Sequence, residues 1–202
     1  LGVFSPFGLS TVWNGDWEGR YLGTYSSLQT FNINPNLAFK KGDLAVSAGL
    51  NVLWSDLELK KKLPLMPYPD GESKLTDDTW GYGYNLGFLY HLNDSWQLGM
   101  SYRSEIKLSF DHGEAKFDVP DPLKSVFPDT KGEGDLDLPP SLTAGVSFKP
   151  DNQWTLEFDV TWTGWSTYDE LKINFKDSVN GQYSSIQPKK WEDVFAYRFG
   201  VK

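Results

Sequence analysis

Trp96-Gln-Leu-Gly-Met-Ser-Tyr-Arg-Ser-Glu-Ile-Lys-Leu-Ser-Phe110 decides how this chain is read. Counting by twos, one face collects Trp96, Leu98, Met100, Tyr102, Ser104, Ile106, Leu108 and Phe110. The other collects Gln97, Gly99, Ser101, Arg103, Glu105, Lys107 and Ser109. Strict period-two alternation of this length is a long β-strand. Strands of soluble proteins usually run about five or six residues, whereas about nine to eleven cross a bilayer. Aromatic residues on one face and charges of both signs on the other suit a strand between lipid and a wet lumen.

The pattern recurs along the chain. Trp80, Tyr82, Tyr84, Leu86, Phe88 and Tyr90 alternate with Gly81, Gly83, Asn85, Gly87, Leu89 and His91. Leu44–Trp54 and Trp154–Trp162 alternate in the same way, Leu142–Phe148 and Phe195–Val201 are shorter, and Gln29–Phe39 and Leu1–Trp13 are weaker. Between these runs the connections alternate in length. Lys40–Asp43, Leu92–Ser95 and Lys149–Asn152 are short and carry Gly, Pro, Asn and Asp, the residues of tight turns. Asn14–Ser26, Lys60–Thr79, Asp111–Asp135 and Lys176–Lys190 are long. Short turns on one side and long loops on the other are expected of outer-membrane barrels, with the short turns in the periplasm and the long loops outside the cell. The expectation is an all-β, antiparallel up-and-down transmembrane β-barrel, of which eight consecutive strands are present.

Composition is compatible with this. The 202 residues include nine Trp, ten Tyr and thirteen Phe but no Cys, which excludes disulfides and thiolate metal sites. A net charge of −8 argues against nucleic-acid binding, which needs a basic surface. Mean hydropathy is −0.46, and no apolar run is long enough for a membrane helix. Neither excludes a barrel whose strands are half polar. Alternation alone does not say which face is outside. In a soluble barrel or sandwich binding a lipid or sugar, the aromatic face would be the core. A purely structural outer-membrane barrel or surface receptor is a third reading. The chain starts without Met and stops inside a strand-like run, so it reads as part of a longer protein, with no internal domain boundary over 1–202.

Trp80-Gly-Tyr-Gly-Tyr-Asn-Leu-Gly-Phe-Leu-Tyr90, a short turn and Tyr102-Arg-Ser-Glu105 resemble the paired central strands of FadL-like outer-membrane transporters. Leu138-Pro139, Trp162-Thr-Gly-Trp-Ser166 and Ala196-Tyr-Arg198 follow in the same order. The resemblance implies the third to tenth strands of a roughly fourteen-stranded barrel, without its N-terminal hatch, first two strands and closing strands. It implies outer-membrane transport of long-chain fatty acids or other hydrophobic compounds, by capture at external loops, an internal apolar pocket and lateral release into the bilayer. The expected partners are that ligand and membrane lipid, in a monomeric barrel without cofactor. The connection Lys60–Thr79 is shorter than the long, helical loop common in the family.

Four groups of residues are candidates for function. Ser5-Pro6-Phe7-Gly8 interrupts the first strand, because Pro cannot donate to a ladder and Gly weakens it. On its own this is an irregular strand end; the resemblance makes it the inward kink that opens the wall. Lys61, by alignment on Gly49 and Asn51, matches a basic residue that faces the ligand carboxylate; the alternative is a solvated Lys-Lys-Lys run. Arg103, Glu105, Lys107, Glu157, Asp159 and Arg198 share the non-aromatic face and are expected to form wall-bracing ion pairs. Leu63, Leu65, Met66 and Tyr68, with Leu123, Val126 and Phe127 beside a short helix starting at Asp121-Pro122, form either a greasy capture patch or ordinary loop packing. Catalysis finds no support, since His91 and His112 are the only histidines and neither lies near a nucleophile or in metal-ligand spacing.

Overall fold

The computed structural model describes residues 1–202. It is one open, antiparallel sheet in which the chain passes up and down eight times. The passes are β1 (Gly2–Phe4) with β2 (Gly8–Val12); β3 (Tyr25–Asn34) with β4 (Asn36–Lys41); β5 (Leu44–Leu63); and β6 (Gly71–His91). Then come β7 (Trp96–Arg103) with β8 (Ile106–Asp118); β9 (Thr130–Leu138) with β10 (Ser141–Phe148); β11 (Leu156–Thr163) with β12 (Glu170–Val179); and β13 (Gln182–Pro188) with β14 (Val194–Val201). The first and last passes are not joined, so the sheet is not closed.

The short turns stand where the sequence places them. In two of them an Asx side chain holds the corner: Asn93 Oδ1 accepts from the amides of Ser95 and Trp96 at 2.9 and 3.0 Å. Asp151 Oδ1 does the same for Gln153 and Trp154, at 2.8 and 3.0 Å. Three of the expected long loops are mostly strand. β5 and β6 pair without interruption from Leu44↔Tyr90 to Leu63↔Gly71, β8 and β9 continue through most of Asp111–Asp135, and Lys176–Lys190 is a hairpin turning at Asn180-Gly181, both with positive φ.

The last four passes all break at one level. Arg103 pairs with Ser141, Ser141 with Thr163 and Thr163 with Val194, and this row closes a regular block made of β7, β10, β11 and β14. Beyond the row, β8, β9, β12 and β13 form a second block, whose backbone ladder with β6 is confined to Glu72–Thr76. From Thr76 to Asn85 is nine steps along β6, whereas from Glu114 back to Arg103 is eleven on the other side. The extra chain leaves the wall and crosses the polar face of β6. A Cβ at Gly81 would stand 2.5 Å from Ile106 and 2.6 Å from Leu108, and one at Gly83 would stand 2.8 Å from Ile106, so only glycine admits this crossing.

The break also exchanges faces. In the regular block the apolar face is open: Trp96, Leu98, Met100, Phe158, Tyr197 and Phe199 are all exposed. Beyond the break the apolar side chains sit on the opposite face. Ile106, Leu108, Phe110 and Leu138 bury themselves with Leu53 in one cluster, against which Phe7, Leu28, Leu57 and Leu136 pack. The fifteen-residue series read as one strand is therefore two, and Ile106 is 1% exposed where the continuous alternation would put it beside Met100, at 47%. The interruption at Ser104-Glu105 shifts the series by one residue and turns Ile106, Leu108 and Phe110 over; a bulge between Phe110 and Gly113 shifts it once more, so that Ala115 and Phe117 are the buried positions beyond it.

Candidate functional site: the interrupted first pass

The first pass breaks at Ser5-Pro6-Phe7. β1 pairs with β3 as Phe4↔Asn32, and β2 resumes as Gly8↔Gln29. Four steps on one strand thus oppose three on the other, a one-residue bulge. Side chains replace the lost ladder. The Phe7 amide donates to Thr30 Oγ1 at 3.3 Å, Ser5 Oγ donates to the Phe7 carbonyl at 3.1 Å, and the Thr30 hydroxyl donates to the same carbonyl. The bulge turns Phe7 toward the buried cluster of Leu53, Ile106, Leu108, Phe110 and Leu138. Phe4, on the near side of the bulge, shares the polar face with Asn32, and its ring lies 5.7 Å from the Arg103 guanidinium.

Behind this bulge runs an asparagine ladder that the sequence reading missed. Asn32 Nδ2 donates to Asn51 Oδ1 at 2.9 Å, and Asn34 Nδ2 lies 3.2 Å from the same oxygen and 2.6 Å from Asn85 Oδ1. The available signal was Asn32-Ile-Asn-Pro-Asn36, asparagine at every second position of a strand that ordinarily excludes it.

Lys61 falls on the same face of β5 as Asn51, Leu53, Leu57 and Leu59. Its neighbours on the opposite face are neutralised: Lys60 pairs with Glu58 at 2.7 Å, and Lys62 with Glu72 at 3.0 Å. Lys61 has no ion-pair partner. The expected network of ion pairs does not form. Only Glu105 and Lys107 meet, at 3.7 Å, and they lie in and just past the break rather than in the regular wall. Arg103 reaches Phe4 instead, and Arg198 donates to Thr161 Oγ1 at 2.8 Å although Asp159 is its register partner. Glu157 and Asp159 line a trough of about 360 Å³ floored by Gly99, Ser101, Gly145 and Ser147; register sets Glu157 between Ser147 and Gly200, with no cation, and Asp159 between Gly145 and Arg198, whose guanidinium turns to Thr161 instead.

The outer loops pack. Leu65 is buried with Ala115, Phe117, Val119 and Val179, and Leu63, Leu123 and Phe127 pack against that cluster. Met66, Tyr68 and Val126 stay exposed. Asp121-Pro122-Leu123 is a single 3-10 turn rather than a helix, and Asp121 makes no cap; its carboxylate pairs with Lys124 at 2.7 Å. The 13–24 connection is tied to the β5–β6 tip by Arg20 Nε, which donates to Asp70 at 2.8 Å, and by the Tyr21 hydroxyl at 3.0 Å. These bonds, the Arg20 one foremost, hold the Asp70 carboxyl below its ordinary range.

The family described as outer membrane protein transport protein (OMPP1/FadL/TodX) matches residues 1–202. The long-chain fatty acid transport protein of Escherichia coli strain K12 is 22% identical over 98% of this chain and 52% of its own length. The 47 kDa outer membrane protein of Pasteurella multocida is 26% identical over 87% of this chain and 47% of its own. Among solved structures, a Pseudomonas aeruginosa FadL homologue superposes with a TM-score of 0.83 at 17% identity, over 98% of this chain and 51% of the other. The Ralstonia pickettii toluene transporter TbuX gives 0.74 at 18% identity, over 98% and 60%. The chain therefore spans about half the length of the curated relatives it matches.

Proposed function

Because the chain belongs to the OMPP1/FadL/TodX family of outer membrane transport proteins, we propose that it forms the part of an outer-membrane barrel wall through which long-chain fatty acids or other hydrophobic small molecules leave sideways into the bilayer. The observation that carries this reading is the break at Ser5–Gly8, where the ladder is lost and Phe7 turns toward the apolar cluster. Backbone groups without ladder partners are not left open to hydrocarbon, so such a break persists where it lines a protected passage. The exposed aromatic face of the regular block faces lipid, and the inversion of faces at the Arg103–Val194 row marks where the wall leaves the membrane on the loop side. The short turns are then periplasmic and the long hairpins extracellular, in a monomeric barrel.

On this reading ligand is captured at the exposed Met66, Tyr68 and Val126, rimming the packed Leu63, Leu65, Leu123 and Phe127. It passes the apolar inner cluster with its carboxylate toward Lys61, whose unpaired charge supplies a partner. Arg103, Glu157, Asp159 and Arg198 keep the opposite wall of the lumen wet, while Glu105 and Lys107 brace its rim.

The test is the pair Pro6→Val with Gly8→Val. A Cβ at Gly8 has no neighbour closer than 3.9 Å, so the change is sterically accommodated. The variant restores strand chemistry and straightens the wall. It should insert as well as the parent and bind fatty acid at the outer loops, yet fail to support uptake. Normal uptake by an inserted variant refutes the lateral exit.

A further inference from the structure

Three polar atoms on the face behind the bulge have no partner: Asn32 Oδ1, Asn51 Nδ2 and Ser55 Oγ. Their residues are 1%, 1% and 0% exposed, so bulk solvent does not reach them. Buried polar groups are nearly always paired, and each exception calls for a reason. Register places Asn32 and Ser55 beside the break, and Asn51 is joined to Asn32 by its side-chain hydrogen bond. Asn32 pairs with Phe4 on one side and Leu53 on the other, and Ser55 is opposite Thr30, the residue that holds the Phe7 backbone. The orphaned atoms thus lie next to the two aromatic side chains that the bulge sets on this face.

Their chemistry is specific. Asn32 and Asn51 make half of an amide pair: Asn32 Nδ2 donates to Asn51 Oδ1, whose orientation Asn34 Nδ2 fixes from the other side. One acceptor, Asn32 Oδ1, and one donor, Asn51 Nδ2, remain. A group that donates one hydrogen bond and accepts another completes them, and a hydroxyl does so. A carboxylate has no proton for Asn32 Oδ1, and it is costly to carry into hydrocarbon.

We propose that Asn32, Asn51 and Ser55 form a subsite for the neutral, hydroxyl-bearing head of an amphiphile, an alcohol or a protonated carboxylic acid, uncovered when Phe7 leaves the apolar cluster. This rests on the lateral-exit reading and narrows it. The passage favours chains with a hydrogen-bonding head over plain hydrocarbons, which cross it without this contact. Lys61 meets the charged head further from the break, and the asparagines meet the uncharged head beside the exit.

The experiment uses the natural protein expressed in outer membranes, with uptake of palmitic acid, hexadecan-1-ol and hexadecane compared side by side. Asn32→Leu with Asn51→Leu removes the orphaned atoms at similar volume. Losing one or two hydrogen bonds predicts a fall of about five- to tenfold for the acid and the alcohol, with the alkane nearly unchanged. An equal fall for all three overturns the subsite and leaves the asparagines as wall supports; no fall overturns it outright. Asn51→Ser with Ser55→Ala gives the same contrast, smaller in size, if the leucine pair does not insert. The straightened Pro6→Val, Gly8→Val protein separates the two claims: it should lose all three ligands alike, and normal passage there refutes the exit while the asparagine variants still judge the subsite.

Discussion

Lys61 lies between two lysines that are both paired, and it alone turns to the face carrying Leu53, Leu57 and Leu59. Lys61→Glu should weaken fatty-acid binding by about 1.5–3 kcal/mol, the worth of a hydrogen bond to a charged group, and spare hexadecan-1-ol and hexadecane. Equilibrium binding of the three ligands checks this, and equal weakening would assign Lys61 to folding. Leu53 is wholly buried in the inner cluster. Leu53→Ala should cost about 2–5 kcal/mol, read from the denaturant midpoint of the inserted barrel. The Arg20–Asp70 tie responds to pH. Asp70 is depressed when folded, so its contribution is complete above the ordinary carboxylate range, near about 3.9, and is lost as pH falls through the lower folded value. Spin labels at the exposed Leu22 and Met66 should show a narrow distance distribution at neutral pH that broadens in acid, and Asp70→Asn should be broad throughout. Of the residue-scale features, Pro6 and Gly8 were legible because their backbone chemistry is local. The asparagine ladder was not, because its meaning depends on Asn51 and Asn85 arriving from other strands.

At the scale of elements, the strands were legible wherever one face carries aromatic residues, as in β6 and β7. Above the Arg103–Val194 row that signal reverses. Asp56, Glu58, Lys60 and Lys62 occupy the face of β5 that Leu44–Trp54 holds below, while Leu57 and Leu59 move to the other. A strand that swaps its apolar face midway and gains glycine and charge reads as a loop, which is why Lys60–Thr79 and Asp111–Asp135 were expected to be irregular. The break at Ser104-Glu105 was hidden for the opposite reason: the alternation of residue types runs through it unbroken while the side chains change sides. Glycine marks the crossing. Gly81→Val should force Ile106, Leu108 and the Lys107 carbonyl apart, costing on the order of 1–3 kcal/mol, whereas Gly8→Val alone meets no such contact. Parallel urea titrations of the two variants should separate them, and equal midpoints would mean that β8 does not cross β6 in the folded wall.

For the whole molecule, the two blocks correspond on the proposed reading to two solvents, lipid and water. The regular block is eight residues deep, about 27 Å along its strands at 3.3–3.4 Å per residue. Tilt brings this near 20 Å, and Trp154 on one side with Trp80 and Tyr82 on the other extend it toward the apolar band of about 25 Å typical of such barrels. Aromatic residues close both ends: Trp96 stacks on Phe148 at 4.3 Å at the turn side, while Trp162 donates to Asp193 at 3.1 Å at the break. The second block has the opposite organisation, apolar within and charged without, as expected in water. The all-β, antiparallel class and the alternating turns were readable from pattern, because every pass repeats them. The inward lean of the second block was not, since it arises from tertiary packing of Ile106, Leu108 and Leu138 on Leu53. A spin-label scan across the row tests this division most directly. Labels at Phe88, Met100 and Phe158 should be reached by oxygen and shielded from an aqueous nickel reagent, those at Lys131 and Lys172 should show the reverse, and one at Leu108 should be shielded from both. Ready access of the nickel reagent to all of Phe88, Met100 and Phe158 would contradict the account.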